Sequence, residues 1–132
     1  MNADAIRSRN AGRVVGLYEA EQQRDIEKWA ALWAENGRQI FWLSTPPAPI
    51  IGRDSLVAAT QHKFDVRPPY RIDVTAEPLA DPARVLARLH LTLDFAQDRV
   101  VDIWCLFHFD DDGLITEIEE IVDTANSPAF PQ

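Results

Sequence analysis

Hydrophobic residues change their spacing at Tyr70, and this change constrains the fold more than any other feature of the sequence. Before Tyr70 they recur mostly every three or four positions, which is typical of helices that bury one side. From Tyr70 onwards they alternate with polar residues, which is typical of strands with one buried face. The chain is therefore predicted to be an α+β protein, with three N-terminal helices packed on one face of a curved, mostly antiparallel sheet.

The boundaries of these segments follow from local signals. The first helix is predicted over about residues 4–22, and a short second helix follows the N-cap Asp25, with Trp29 and Trp33 on one face and a stop at residues 35–37. A strand is predicted over residues 38–44, and a third helix over about residues 53–65, ahead of two prolines. The later strands are predicted over residues 70–77, 84–95 and 99–109, and a hairpin turn at residues 110–113 leads into a last strand.

One carboxylate of the last strand falls on the face that the pattern predicts to be buried. Glu120 alternates with Ile118 and Val122, whereas Glu117 and Glu119 belong to the opposite face. Burying an ionised carboxylate is costly, so desolvation is expected to raise the pKa of Glu120 and to suit it to general acid or base catalysis. The alternative is a glutamate that pairs with an arginine or caps a backbone group.

Composition and charge narrow the classes of function. The 132 residues are expected to form one domain, over residues 1–132, and 21 acidic against 13 basic residues give a net charge of −8. Without a basic run, nucleic acid is not an expected partner. A single cysteine, a polar start and the lack of any membrane-length apolar run predict a soluble, cytoplasmic protein that makes no contact with a membrane.

Several segments, in this order, resemble the nuclear transport factor 2-like superfamily and its ketosteroid isomerase, SnoaL and PhzA/PhzB branches. They are VVGLY (residues 14–18), RDIEKWAALWAENG (24–37), PIIGRDSL (49–56) and FHFDDDGLITEIEEIVD (107–123). The resemblance implies a cone-shaped fold with an internal pocket. It also implies that Tyr18 stands where ketosteroid isomerase has its oxyanion-hole tyrosine, and that Glu120 stands where PhzA/PhzB-type proteins have a pocket glutamate.

The same comparison shows where this chain departs from those enzymes. The catalytic base of ketosteroid isomerase falls on Phe41, or on Trp42 with a slip of one residue, and its protonated aspartate falls on Cys105. A phenyl or indole ring cannot abstract a proton, so steroid isomerisation by that mechanism is not expected. The histidine of PhzA/PhzB-type proteins falls on Ala59, with His62 one turn of helix later.

The predicted site therefore has two catalytic candidates, Glu120 as acid or base and Tyr18 as hydrogen-bond donor. Other aromatic and apolar side chains near the mouth or on the inner face are expected to contact substrate: Trp29, Trp33, Phe41, Trp42, His62, Phe64, Cys105, Phe107, Ile118 and Val122. For most of these, and for Tyr18, simple core packing is the alternative. No phosphate-cradling glycine motif is present, so no cofactor is expected.

The sheet face opposite the apolar one is predicted to hold a second copy of the chain. Arg88, His90, Trp104, Leu106 and His108 share that face, and exposed tryptophan and leucine on a strand suggest a covered surface. The two histidines there lack the close spacing of three or four converging ligands, so no metal site is predicted.

These observations favour a cofactor-independent isomerase, lyase or cyclase-like enzyme that acts on a small apolar or aromatic metabolite. The alternative is a non-catalytic domain of the same fold that binds a ligand or associates with a protein. The loss of the isomerase base at Phe41 favours the alternative, and the inward Glu120 favours the enzyme.

Overall fold

A computed structural model describes residues 1–42, 48–93, 99–123 and 125 and shows the predicted α+β architecture. The helices are α1 (Ala3–Gln23), α2 (Ile26–Ala31) and α3 (Arg53–Val66). The strands are β1 (Trp33–Phe41), β2 (Ile50–Ile51), β3 (Tyr70–Pro78), β4 (Arg84–Leu93), β5 (Arg99–Phe109) and β6 (Ile115–Asp123). They form one sheet in the order β2-β1-β6-β5-β4-β3.

Neighbouring strands are antiparallel except for β1 and β6, which run parallel. The strands after Tyr70 thus form the predicted meander, and β1 joins it beside the last strand. The ends of the strands predicted over residues 38–44 and 84–95 lie partly outside the described residues. Among the described helices, none combines the length and apolarity needed to cross a bilayer.

The helices begin and end where side chains or backbone geometry satisfy their free groups. The Asn2 side chain accepts a hydrogen bond from the Ala5 amide at the start of α1, and Asp25 caps α2 by accepting from the Lys28 amide, as predicted. Arg24 ends α1 in the left-handed conformation, with φ of 57°. Helix α1 buries Val14, Leu17 and Tyr18, and these pack toward the sheet together with Leu56 of α3.

The prediction that Trp33 belongs to the second helix was wrong. Helix α2 ends at Ala31, and Trp33 is the fully buried first residue of β1. Trp33 pairs with Ile115 and Arg38 pairs with Glu117. Between these two pairs β1 advances by five residues and β6 by only two, so β1 contains a bulge. The bulge needs glycine at position 37, because a Cβ atom there would lie 2.6 Å from the Trp33 side chain. Strand pairing and burial of the indole thus override the helical spacing.

A second bulge corrects the predicted faces of β6. Phe109 pairs with Ile115 and His108 pairs with Glu117, which leaves Thr116 as an extra residue. As a result Ile115 and Ile118 are both buried in the core, at 0% and 1% exposure, although strict alternation places them on opposite faces. Beyond the bulge the alternation is regular, so Glu119 and Glu120 face opposite sides.

Candidate functional site

A cavity of about 510 Å³ lies between α1, α3 and the inner face of the sheet. More than half of its lining is apolar, and the sheet contributes leucine, isoleucine and valine from β4, β5 and β6. Its polar side chains come from five elements and the segment after α3: Tyr18 and Glu21 of α1, Gln39 of β1, Thr60, His62 and Lys63 of α3, Tyr70 of β3, Glu120 of β6, and Arg67. His62, Val66 and Arg67 are exposed, so the end of α3 forms the mouth of the cavity.

Glu120 reaches this cavity from the middle of β6, where Ile118 and Val122 flank it on the wall. It pairs with Phe41 of β1 on one side and with Cys105 of β5 on the other. Gln39 stands two residues before Phe41 and therefore on the same face of β1. Its Nε2 atom donates a hydrogen bond of 2.7 Å to the Glu120 Oε1 atom.

Burial raises the pKa of Glu120 from 4.5 to about 7. The Lys63 ammonium lowers this pKa, the Glu21 carboxylate raises it, and the Gln39 hydrogen bond lowers it, each by less than the effect of burial. Near neutral pH the carboxyl group therefore exists in both protonation states. A group of this kind can take a proton from a substrate and return it within one reaction cycle.

A second carboxylate lies on the same cavity wall and is paired. The Tyr70 hydroxyl donates a 3.0 Å hydrogen bond to the Glu21 Oε2 atom, and the Lys63 Nζ atom lies 3.3 Å from the same oxygen. Burial, followed by the charge of Glu21, raises the pKa of Tyr70, so this phenol stays neutral. Two carboxylates thus share one cavity, one ion-paired and one surrounded mainly by apolar groups.

Tyr18 lies on the cavity wall, but its hydroxyl already has a protein partner. Its Oη atom lies 3.5 Å from the Cys105 Sγ atom, and its ring packs edge-on against Phe107 at 6.0 Å between centroids. Burial raises the pKa of Tyr18 most, and negative charge at Cys105 or Glu120 would raise it further. The phenol therefore remains a neutral donor, and sulfur is a weak acceptor that an oxygen could replace.

The structure brings some of the predicted contact residues to the cavity and leaves others behind it. Trp29, Phe41, His62, Ile118 and Val122 line the cavity. The others do not: Trp33 packs against Trp29, Phe64 packs against the Arg24 guanidinium, Cys105 and Phe107 contact Tyr18, and Trp42 is 50% exposed just beyond β1.

Four polar residues of the site were missed from the sequence: Glu21, Gln39, Lys63 and Tyr70. Glu21 had a signal, since it lies one turn after Leu17 and Tyr18 on the apolar side of α1. Gln39 also had a signal, since it lies two residues from Phe41 and therefore on the same face of β1. Tyr70 had one too, since it alternates with Ile72 and Val74 on the apolar side of β3. Lys63 had no comparable signal, because the helical pattern of α3 is weak and does not show which side faces the sheet.

On the outer face of the sheet, acids are paired with basic side chains. His90 lies 2.7 Å from buried Asp102, the Arg88 guanidinium stacks over Trp104 at 5.2 Å, and Glu117 pairs with Arg38 at 2.5 Å. His108 lies 3.3 Å from Glu117. Together with Glu119 these two residues bring three potential metal-ligand atoms close to one another. Because Arg38 already neutralises Glu117, this cluster is accounted for by ion pairing.

Solved structures of low sequence identity share this fold. A candidate ketosteroid isomerase from Kribbella flavida superposes with a TM-score of 0.72 at 21% identity, over 95% of this chain and 84% of the other. A phenazine biosynthesis-related protein from Pseudomonas aeruginosa gives 0.70 at 16% identity, over 98% and 91%. A candidate polyketide cyclase from Xanthomonas campestris gives 0.69 at 24% identity, over 87% and 90%.

No curated protein matches the sequence. The structural similarities lie below the identity at which function transfers, so they establish the fold alone. A comparison with protein families is more specific: the SnoaL-like domain matches residues 14–118 of the sequence. That range runs from α1 into β6 and includes most of the cavity wall. This chain therefore belongs to the SnoaL-like domain family.

Proposed function

We propose that the protein is a cofactor-independent isomerase, lyase or cyclase-like enzyme that acts on a small apolar or aromatic metabolite. The observation that carries this proposal is Glu120, a carboxyl group on an apolar cavity wall whose pKa lies at about 7. A carboxylate kept there only for stability would be better placed on the outer face, where water and basic partners are available.

In this mechanism Glu120 removes a proton from a carbon next to a carbonyl group and delivers it to another atom of the substrate. The hydrogen bond from Gln39 engages the Oε1 atom and orients the carboxylate, and Oε2 would be the oxygen that takes the proton. Gln39 is therefore a positioning residue, since it would act through Glu120 rather than on the substrate.

Tyr18 would donate a hydrogen bond to the oxygen that gains charge as the proton leaves. A charged oxygen accepts far better than the Cys105 sulfur, so the bond would strengthen as charge develops. Trp29 and Phe41 supply flat apolar surface for an aromatic body. The fold shared with a candidate ketosteroid isomerase and a candidate polyketide cyclase supports a substrate with an enolisable carbonyl.

The test is base-catalysed ring opening of a nitrobenzisoxazole, in which a carboxylate removes a carbon-bound proton as the N–O bond breaks and a coloured phenolate forms. This probe asks only for a general base in an apolar cavity. Glu120→Gln is expected to lower the rate about 100-fold, and the wild-type rate is expected to rise with pH through about 7 as Glu120 ionises.

Glu119→Gln is the matched control, because it removes the same group from the neighbouring residue on the outer face. It is expected to leave the rate unchanged. Equal losses in the two variants, or a wild-type rate no greater than that of acetate at equal concentration, would contradict the proposal. The latter result, with apolar ligands still bound, would instead favour the non-catalytic binding domain that Phe41 at the isomerase base position suggests.

We also propose that the outer sheet face pairs two copies of the chain. Trp104 is 37% exposed and Ile121 is 54% exposed on adjacent strands, where they pair across the β5–β6 ladder. Arg88, His90, Leu106 and His108 surround them on that face. A patch of exposed tryptophan and isoleucine is unfavourable in water, and a symmetric partner would cover it.

A further inference from the structure

The charges on the cavity wall differ in sign from those of the whole protein. The chain carries a net charge of −8. The titratable groups that face the cavity are Tyr18 and Glu21 of α1, His62 and Lys63 of α3, Arg67 after α3, Tyr70 of β3 and Glu120 of β6. The described lining residues of β4 and β5 are apolar. With Glu120 protonated, the wall carries one net positive charge, because Glu21 offsets only one of the two cations.

The cations occupy defined positions at and below the mouth. Arg67 is exposed at the rim, and Lys63 lies one turn deeper, where its ammonium contacts Glu21 and acts on the pKa of Glu120. Arg24 fixes this end of α3, since its Nη2 atom donates to the Arg67 carbonyl oxygen at 2.7 Å and its guanidinium packs on Phe64 and Tyr70. The two positive charges are therefore attached to an anchored segment.

A simpler role exists for cations at the end of a helix, where they offset the helix dipole. That role explains a basic residue near the end of α3, but any exposed position in the last turn would satisfy it. It does not explain why Lys63 turns toward the sheet and pairs with a mostly buried glutamate on the cavity wall.

We propose that the ligand of this cavity carries a carboxylate beside its apolar body, and that Lys63 and Arg67 bind this carboxylate at the mouth. The assignment rests on the proposed function for its orientation: the apolar part enters first and brings the reacting carbon toward Glu120. Arginine and lysine bind carboxylates through charge-assisted hydrogen bonds, and a monoanion would neutralise the excess positive charge of the wall.

The proposal also implies that proton uptake accompanies binding. When Glu120 ionises it cancels the excess positive charge, so a carboxylate should bind more weakly as pH rises through about 7. The other lining groups named above contribute a background that a substitution at Glu120 leaves in place. In Glu120→Gln the affinity for the anion should therefore lose this part of its pH dependence.

The test compares naphthalene carboxylate with the matching carboxamide, which has the same apolar body and no charge, by calorimetry on the full chain. The carboxylate is expected to bind about tenfold more tightly below neutral pH, and Arg67→Gln is expected to remove most of this preference. Arg71→Gln is the control, since Arg71 is also an exposed arginine but does not line the cavity and pairs with Asp73.

Equal affinities for the two probes, no saturable binding of the carboxylate, or equal effects of the two arginine substitutions would overturn the subsite. These results are separable from failure of the proposed function. A carboxylate preference that depends on Arg67, together with no effect of Glu120→Gln on ring opening of the nitrobenzisoxazole, supports the subsite and contradicts the catalytic role. Ring opening that depends on Glu120, without a carboxylate preference, contradicts the subsite alone.

Discussion

Glu119 and Glu120 are consecutive residues of one strand with different surroundings. Glu119 lies on the outer face, where water reaches it and the ring of His108 lies 3.9 Å away. Glu120 lies on the inner face between Ile118 and Val122, with the neutral amide of Gln39 as its hydrogen-bond partner. Strand alternation places the two identical side chains on opposite faces of the sheet, and burial on the inner face raises the pKa of Glu120 to about 7.

The largest expected difference between the two glutamates is in stability at alkaline pH. The folded-state pKa of Glu120, about 7, lies above its ordinary value of 4.5. The folded state therefore binds more protons than the unfolded state between these values. The contribution of the Glu120 proton to the free energy of unfolding is complete below about pH 4.5. It is lost as pH rises through about 7, by about 3 kcal/mol in total.

Glu120→Gln should remove this loss because the amide cannot ionise. Urea unfolding should show a variant about 3 kcal/mol more stable than wild type at about pH 8, with little difference near pH 4. Glu119→Gln should stay within about 0.5 kcal/mol at both pH values. A Glu120→Gln variant with the same pH dependence as wild type would contradict the comparison.

The outer face of the sheet is expected to form the interface between two copies of the chain. Trp104→Asp places a charge in the centre of the proposed interface and should weaken self-association by about 2 kcal/mol, or roughly 30-fold in Kd. Light scattering over a concentration series would measure this change, and the pH dependence assigned to Glu120 should survive in the monomer. A wild-type protein that is monomeric at all concentrations would contradict the interface.

A smaller effect is expected inside the cavity, from the groups that lower the pKa of Glu120. Lys63→Met removes the larger of these influences and Gln39→Leu removes the smaller one, so both should raise the pKa of Glu120 and Lys63→Met should raise it more. Carbon NMR of the carboxyl resonance would measure both shifts. Lys28→Met is a control, because Lys28 is exposed and contacts Asp25 rather than the cavity. A reversed order would mean that the hydrogen bond outweighs the ion.

The sequence predicted the parts of the molecule that depend on local pattern. The change of period at Tyr70 predicted the order of helices and strands, and alternation from Ile118 to Val122 was enough to turn Glu120 inward. Alternation failed for Ile115, because the bulge at Thr116 moves Ile115 to the same face as Ile118. Helical spacing failed for Trp33, because its pairing with β6 joins residues far apart in sequence and leaves no sign in the residues around Trp33.

The cavity wall was less predictable than the fold. Glu21 is far in sequence from Lys63 and Tyr70, and the three meet only because α1 packs beside the end of α3 and the start of β3. Phe107 and Cys105 have the spacing of wall residues, yet they contact Tyr18 and do not line the cavity. Periodicity shows which side of an element is buried, but not whether that side meets a packed core or an open space.

The central claim is that Glu120 is a titrating carboxyl group inside an apolar cavity, and its pKa tests this claim most directly. Selective carbon-13 labelling of glutamate, with Glu120→Gln to assign the resonance, would follow the Glu120 carboxyl signal through a pH titration. The account predicts a midpoint of about 7. A midpoint near the ordinary value of 4.5 would contradict it, because a carboxyl group with that pKa would be solvated rather than enclosed by apolar side chains.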